Sequence, residues 1–127
     1  MIKVKLRDIV NSVDTFQVIM QQSFKGSLAF KIARLARELN KEMETFNEQR
    51  KRIIDEYCVR DDNGEVKTFE NGNIQIIPEK IEEFNAEITN ILNTEVEVNA
   101  DKLPMDRIDD FDITPQQMLI LENFFEE

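Results

Sequence analysis

The chain has 127 residues, of which 41% are hydrophobic and 33% are charged, and its formal net charge is −10. This composition is typical of one ordinary folded domain and excludes a disordered chain. The sequence contains no histidine and a single cysteine, Cys58. The commonest general base, the usual Ser–His and Cys–His nucleophile pairs and an internal disulfide framework are therefore excluded.

The charge is distributed unevenly along the chain. Residues 1–78 carry 13 Lys/Arg against 12 Asp/Glu, whereas residues 79–127 carry 3 against 14. Because contacts with phosphates need a net positive surface, we expect no direct binding of nucleic acid. No apolar run reaches the length of a membrane span and no signal peptide opens the sequence, so we expect a cytosolic protein without membrane attachment.

The first predicted elements are a strand and a helix. Residues 2–6 alternate between apolar and charged side chains, which predicts a short half-buried strand. Helical spacing follows, with Asp8 as the expected N-cap of a helix that runs to about Gln22. Gly26 breaks this helix, and Ser27 is suited to cap the next one.

The stretch Ser27–Tyr57 is the longest predicted helix, since it lacks glycine and proline and its apolar residues recur mostly at intervals of three and four. Its apolar stripe consists of Leu28, Ile32, Leu35, Leu39, Met43, Phe46, Ile53 and Tyr57. A helix of this length spans about 45 Å. We expect it to form an antiparallel hairpin with the shorter first helix, which leaves part of the stripe uncovered. The sequence therefore predicts a homo-oligomer with Phe46, Ile53 and Tyr57 near its interface.

The second half of the chain combines turns, short strands and two helices. Asn63-Gly64 favours a type I′ turn, followed by a β-hairpin or two short strands between Glu65 and Ile77. A third helix is predicted over Glu79–Asn93. In Glu95–Val98 charged and apolar residues alternate, which predicts another short strand. Thr114-Pro115-Gln116-Gln117 has the capping-box pattern of a last helix. No internal repeat is recognised, and the predicted fold class is α+β, mainly α.

Basic residues on the long helix are the only candidate ligand site. Lys31, Arg34, Arg37 and Lys41 recur at intervals of three and four, and Arg50 belongs to a second basic group further along. Such a face is suited to a small anionic ligand, for instance a nucleotide, or to an acidic partner. The alternative is that glutamates of the same helix pair with these cations. No catalytic residue, metal ligand or cofactor is predicted.

Several segments resemble a family of small uncharacterised proteins encoded by phages and prophages of Gram-positive bacteria. The segments that carry the resemblance are 29–34, 46–50, 53–57, 61–64, 84–85, 92–98, 113–115 and the final Glu126-Glu127. They are spread over most of the length of the chain, but each is a pattern of common residues. The resemblance implies no enzymatic role and no functional residue. It implies a context, which is the cytoplasm of an infected bacterial host.

Three functions are compatible with these observations. The first is a non-enzymatic protein that binds another phage or host protein, in particle assembly or in host takeover. The second is an anti-defence protein that sequesters a nucleotide signal at the basic residues or blocks a nucleic-acid-binding defence protein with its acidic end. The third is a carboxylate-dependent enzyme, for which neighbouring acidic residues give little support because their environments do not differ.

Overall fold

A computed structural model describes residues 1–126 of the protein. The predicted class is confirmed, since four helices and one small antiparallel sheet make up most of the regular structure that it describes. The chain divides into two compact units, residues 1–43 together with 93–126, and residues 44–92. The expectation of a single domain stays a prediction.

Two strands of the first unit form its sheet. Strand β1 (Ile2–Lys5) pairs antiparallel with β2 (Glu95–Val98), and Ile2 lies opposite Val98. Alternation places Ile2 and Val4 inside, while Lys3 on the other face forms an ion pair with Glu97 at 3.6 Å. The two stretches that alternate in the sequence are therefore partners, although residues 6–94 separate them.

Helix α1 (Leu6–Met20) follows β1 directly. It starts two residues before the expected cap, and Asp8 has another role: its Oδ2 accepts a hydrogen bond from the Lys5 backbone N–H at 3.2 Å. The helix buries Leu6, Ile9, Phe16 and Ile19. Ser12 is also fully buried and donates its hydroxyl hydrogen bond to the Ile9 carbonyl at 2.8 Å. Its polar group is thus satisfied inside the core.

Helix α2 (Gly26–Tyr57) is the long helix that the sequence predicts. Residues 13–21, at the end of α1 and its C-cap, line one depression together with α2 residues 36–40. Residues 19–24, which include the loop after α1, line another together with α2 residues 29–33. Later residues of α1 therefore face earlier residues of α2, as in the expected antiparallel hairpin. Within the first unit, Leu28, Ile32, Leu35 and Leu39 of α2 are at most 3% exposed.

The carboxyl-terminal segment completes the first unit. A short 3₁₀ helix (Met105–Asp110) leads to helix α4 (Pro115–Leu121) and a further 3₁₀ turn (Glu122–Phe124). The predicted capping box is present, since Gln117 N–H donates to Thr114 Oγ1 at 3.1 Å and Thr114 N–H to Gln117 Oε1 at 2.9 Å. Leu121 and Phe124 are fully buried, and the Phe124 ring packs edge-on against Phe16 at 5.5 Å.

The second unit begins with the last turns of α2 and contains helix α3 (Ile81–Leu92), which follows a 3₁₀ turn at Pro78–Lys80. Between α2 and α3, three short extended segments (57–61, 65–69 and 73–77) pair in a closed arrangement that we term the three-segment ring. Its antiparallel bridges are Cys58↔Ile76, Arg60↔Val66 and Thr68↔Ile74. Each segment thus pairs with both of the others, which a simple hairpin does not do.

The backbone hydrogen bonds of the three-segment ring repeat every eight residues. Lys67 N–H donates to Val59 O at 2.8 Å, Gln75 N–H to Lys67 O at 3.0 Å, and Val59 N–H to Gln75 O at 2.8 Å, which closes the cycle. The turns repeat at the same interval of eight residues. In each of them a backbone N–H, that of residue 64, 72 or 80, donates a hydrogen bond to the carbonyl three residues earlier. The expectation of no internal repeat is therefore wrong.

The predicted hairpin at these turns also needs correction. Among the described residues only glycines have positive φ, so Asn63 does not take the conformation that a type I′ turn requires. Instead, each turn is a three-residue loop whose last residue is a glycine in the left-handed conformation. These glycines are Gly64, with φ +82°, and Gly72, with φ +87°. Asp61 stabilises the first loop, because its Oδ1 accepts hydrogen bonds from the backbone N–H groups of Asn63 and Glu65.

Candidate functional site

The first unit has two neighbouring depressions between α1 and α2. One has a volume of about 290 Å³ and lies between Val13–Gln21 and Ala36–Asn40. The other, of about 300 Å³, lies between Ile19–Phe24 and Ala29–Ala33. Met20 lines both of them and is 50% exposed, so its side chain lies at the edge of each depression; we refer to the two together as the groove.

The groove is apolar at its floor and polar at its edges. Phe16, Leu39 and Ile32 line it and are almost fully buried, and α2 also contributes three alanines, Ala29, Ala33 and Ala36. Gln17, Gln21 and Asn40 are exposed and line the opening of the larger depression. The wall that α2 contributes thus includes small residues, and the flexible Met20 side chain lies on the opposite wall.

The chain around the groove is positively charged, although the protein as a whole is acidic. Residues 15–37 include four cations and no Asp or Glu. The four are Lys25, Lys31, Arg34 and Arg37. An exposed aromatic ring shares this surface, because Phe30 is 68% exposed and precedes Arg34 by four residues, or about one helical turn.

The structure distributes the predicted ligand residues over both units. Lys31, Arg34, Arg37 and Lys41 lie in the first unit, whereas Arg50 belongs to the second. Glu38 Oε1 pairs with Lys41 Nζ at 3.0 Å and with Arg37 Nε at 3.7 Å. Pairing within the helix therefore accounts for part of the basic stripe, while Arg34 forms no ion pair with any described residue. Their role in ligand binding stays a prediction.

The predicted interface residues are buried within the chain. Phe46, Ile53 and Tyr57 are 7%, 8% and 6% exposed. The apolar stripe of α2 is thus covered without a second copy, which removes the reason for placing an interface there. Little of these side chains is left for another subunit to contact, and a homo-oligomer stays a prediction.

The second unit contains an amphipathic depression of about 450 Å³. Asn47, Arg50, Lys51, Ile54 and Asp55 of α2 line it together with Val66, Thr68 and Ile74 of the three-segment ring. Asp55 Oδ1 lies 3.4 Å from Arg60 Nη2, so its charge is already paired. Neither Arg50 nor Lys51 forms an ion pair with the residues that the structure describes.

The fold changes the acidity of the Tyr57 phenol. Burial raises its pKa above the ordinary value of 10.0, and the negative charges of Glu87, Glu56 and Glu83 raise it further. Its ring packs edge-on against Phe84 at 6.3 Å, and Lys80 Nζ lies 5.8 Å from the ring centroid. This environment favours the neutral phenol, which also forms a hydrogen bond with Glu87.

Residues 1–126 contain no group of three His, Cys, Asp or Glu side chains that could hold a metal ion. None of the helices described is long and apolar enough to cross a membrane. The lone Cys58 is buried, 3.8 Å from the Asp55 carbonyl oxygen.

No protein-family model, curated protein or solved structure matches the chain. The groove and the depression therefore have to be interpreted from their own chemistry. Arg50, one of the predicted ligand residues, lines the depression, whereas no residue of the groove was predicted to form a site. Met20 is an ordinary member of an apolar stripe in the sequence, and only the absence of acidic residues from 15–37 points to this surface.

Proposed function

We propose that the protein is a non-enzymatic interaction protein that binds an acidic amphipathic helix of a partner in the groove between α1 and α2. The observation that carries this proposal is the half-exposed Met20 between two apolar depressions, within the part of the chain that lacks acidic residues.

The shape of the groove supports a helical partner. Amphipathic helices dock by laying apolar residues at intervals of three and four into a groove between two helices. The two depressions offer successive positions for such residues, and Met20 can adjust its rotamer between them. Gln17, Gln21 and Asn40 provide hydrogen-bonding groups at the rim, where interfaces are normally polar.

The charge around the groove supports an acidic partner. In a protein of net charge −10, most of the surface repels acidic polypeptides, but the cations between residues 15 and 37 attract them. Arg34 has no ion pair among the described residues, and Arg37 has only a long contact of 3.7 Å to Glu38. Complementary charge of this kind raises the association rate and helps to exclude other partners.

The resemblance to phage and prophage proteins supplies the proposed setting. We place the protein in the cytoplasm of an infected bacterium, where its partner is a protein of the phage or of the host. Particle assembly and host takeover both require such binding. The alternative function is anti-defence, in which the protein captures a small phosphorylated signal molecule.

A designed helical peptide tests the proposed docking mode. The probe carries leucines on one face and glutamates on the other, and the reference peptide has lysines in place of the glutamates. We expect fluorescence anisotropy to show binding of the glutamate peptide alone, with weaker binding at high salt. Met20→Asp is expected to raise its Kd at least about tenfold, because a charge replaces the central apolar contact.

Met105→Asp is the matched control, since Met105 is 37% exposed on the 3₁₀ helix of residues 105–110, outside the groove. It should leave the Kd unchanged. Arg34→Glu should weaken binding and reduce its dependence on salt. Equal binding of the two peptides, or equal effects of Met20→Asp and Met105→Asp, would contradict the proposal.

A further inference from the structure

We propose that the depression in the second unit binds a small phosphorylated molecule with an apolar or aromatic part, such as a nucleoside monophosphate. This site is separate from the groove between α1 and α2 and does not depend on the function proposed for it. It lies where the last turns of α2 meet the three-segment ring.

Two cations at the site have no competing partner. Arg50 and Lys51 are exposed, line the depression and form no ion pair with described residues. Asp55, the only acidic residue among those lining it, is held by Arg60 at 3.4 Å. Arg60 Nη1 also donates to the Gly64 carbonyl at 2.8 Å, so this cation in turn is anchored to the first turn of the ring. The net charge of the groups that line the depression is therefore positive, which favours the binding of an anion.

The rest of the lining suits the remainder of such a ligand. Ile54 of α2 and Val66 and Ile74 of the ring provide an apolar wall, against which a flat base or an aliphatic group can pack. Asn47 and Thr68 add an amide and a hydroxyl that can accept or donate hydrogen bonds. A volume of about 450 Å³ falls within the range of small-molecule sites.

Arginine and lysine act differently on a phosphate, and both modes are available here. The planar Arg50 guanidinium can bind two phosphate oxygens at once, while the Lys51 ammonium contributes a flexible point charge. A free phosphate would use only these two residues. A phosphate linked to an apolar group would use the wall as well, so the two ligands should differ in affinity.

Nuclear magnetic resonance titration of the full chain tests the proposal. The probes are adenosine monophosphate, adenosine and inorganic phosphate, each added to the ¹⁵N-labelled protein. We expect adenosine monophosphate to shift the backbone resonances of residues 47–55 and 66–74 and to bind more tightly than either of the other probes. Arg50→Gln and Lys51→Gln should each weaken this binding at least about tenfold, since each removes a charged hydrogen bond.

Arg52→Gln is the matched control, because Arg52 is an exposed cation of the same helical turn that does not line the depression. It should leave the affinity unchanged. Absence of shifts at millimolar adenosine monophosphate, or equal losses in all three variants, would overturn the proposal. Equal affinity for inorganic phosphate would overturn the role of the apolar wall. Thermal unfolding of each variant verifies that these exposed substitutions leave the fold intact.

Discussion

The protonation state of the Tyr57 hydroxyl affects the stability of the second unit. Its ring is packed beside Phe84 and Lys80, and its hydroxyl faces the acidic side of α3 through Glu87 and Glu83. A phenolate here would lose hydration and be repelled by these carboxylates. The fold thus stabilises the protonated form, and this preference raises the pKa of Tyr57 above 10.0.

We expect the free energy of unfolding to fall at alkaline pH because of this residue. Below pH 10.0 the phenol is neutral in both folded and unfolded chains, so its contribution is constant. Above that pH the unfolded chain ionises first, and the contribution is lost as the pH rises through the pKa of the folded state. Urea unfolding between pH 8 and pH 11 measures the slope.

The control is Tyr57→Phe, which retains the ring and the position of Lys80 but has no ionisable hydroxyl. It should lose stability less steeply above pH 10 than the unaltered chain, even if its stability at neutral pH is lower. Parallel slopes for the two proteins would show that the phenol does not carry the effect. Absolute stability is not the readout, because the substitution also removes the hydrogen bond with Glu87.

At the scale of elements, the three-segment ring depends on two glycines. Gly64 and Gly72 have φ values of +82° and +87° and each ends one loop of the eight-residue repeat. Nothing lies within 4 Å of a Cβ atom built on either residue. Any cost of a side chain at these positions is therefore conformational rather than steric crowding by neighbours.

We expect Gly72→Ala to lower the free energy of unfolding by about 1–2 kcal/mol, because alanine resists the left-handed conformation. Gly72→Asn should cost less, since asparagine tolerates that region better. Glu70→Ala changes an exposed residue of the same loop and should have almost no effect. Chemical denaturation followed by circular dichroism measures all three. An Ala variant as stable as the Glu70 control would contradict the prediction.

The sequence predicts the helices well and the three-segment ring poorly, for a physical reason. Helices α1 and α2 follow from local apolar spacing, and the cap of α4 from the hydroxyl of Thr114 and the amide of Gln117. Closure of the ring instead depends on hydrogen bonds between backbone groups. The side chains at equivalent positions of its eight-residue repeat differ, for example Asp61 and Phe69, so they do not reveal the repeat. Only the Asn-Gly pairs, eight residues apart, indicate the repeat in the sequence.

The candidate sites are less predictable still, because they depend on gaps between elements. The sequence predicts that Met20 and Arg50 lie on helices, but not that Met20 lies between two depressions or that Arg50 faces the apolar wall of the ring. Burial of Phe46 and Ile53 is similarly a tertiary property. Helical spacing identifies the stripe without identifying what covers it.

At the scale of the whole molecule, self-association has to use surface other than the stripe of α2. Phe30 is 68% exposed, but two copies joined there would bring their Arg34 and Arg37 side chains together. Leu119 of α4 is 69% exposed and lies in residues 113–121, which contain no charged residue. A second copy that covers Leu119 would bury an apolar side chain within an uncharged stretch of the chain.

We therefore expect light scattering at micromolar concentration to give a mass above the 15.0 kDa of one chain. Leu119→Glu should return the mass to that of the monomer, because a buried charge without a partner disrupts an apolar contact. Phe30→Glu is the control and should leave the oligomer intact. A monomeric mass for the unaltered protein would remove the prediction of a homo-oligomer.

The closed hydrogen bonding of the three-segment ring has a consequence for how this chain can change during evolution. The Ile77 N–H donates to the Tyr57 carbonyl at 2.9 Å, so the backbone leaves the ring beside the point at which it arrived. Because the two ends of the segment are adjacent, we expect that residues 58–77 can be deleted or replaced by another segment. In the deletion, Tyr57 would be joined directly to Pro78, so that α3 would follow α2 closely in the chain. Related chains would then be expected to differ by the presence or absence of this whole segment, since a partial loss would break the cycle.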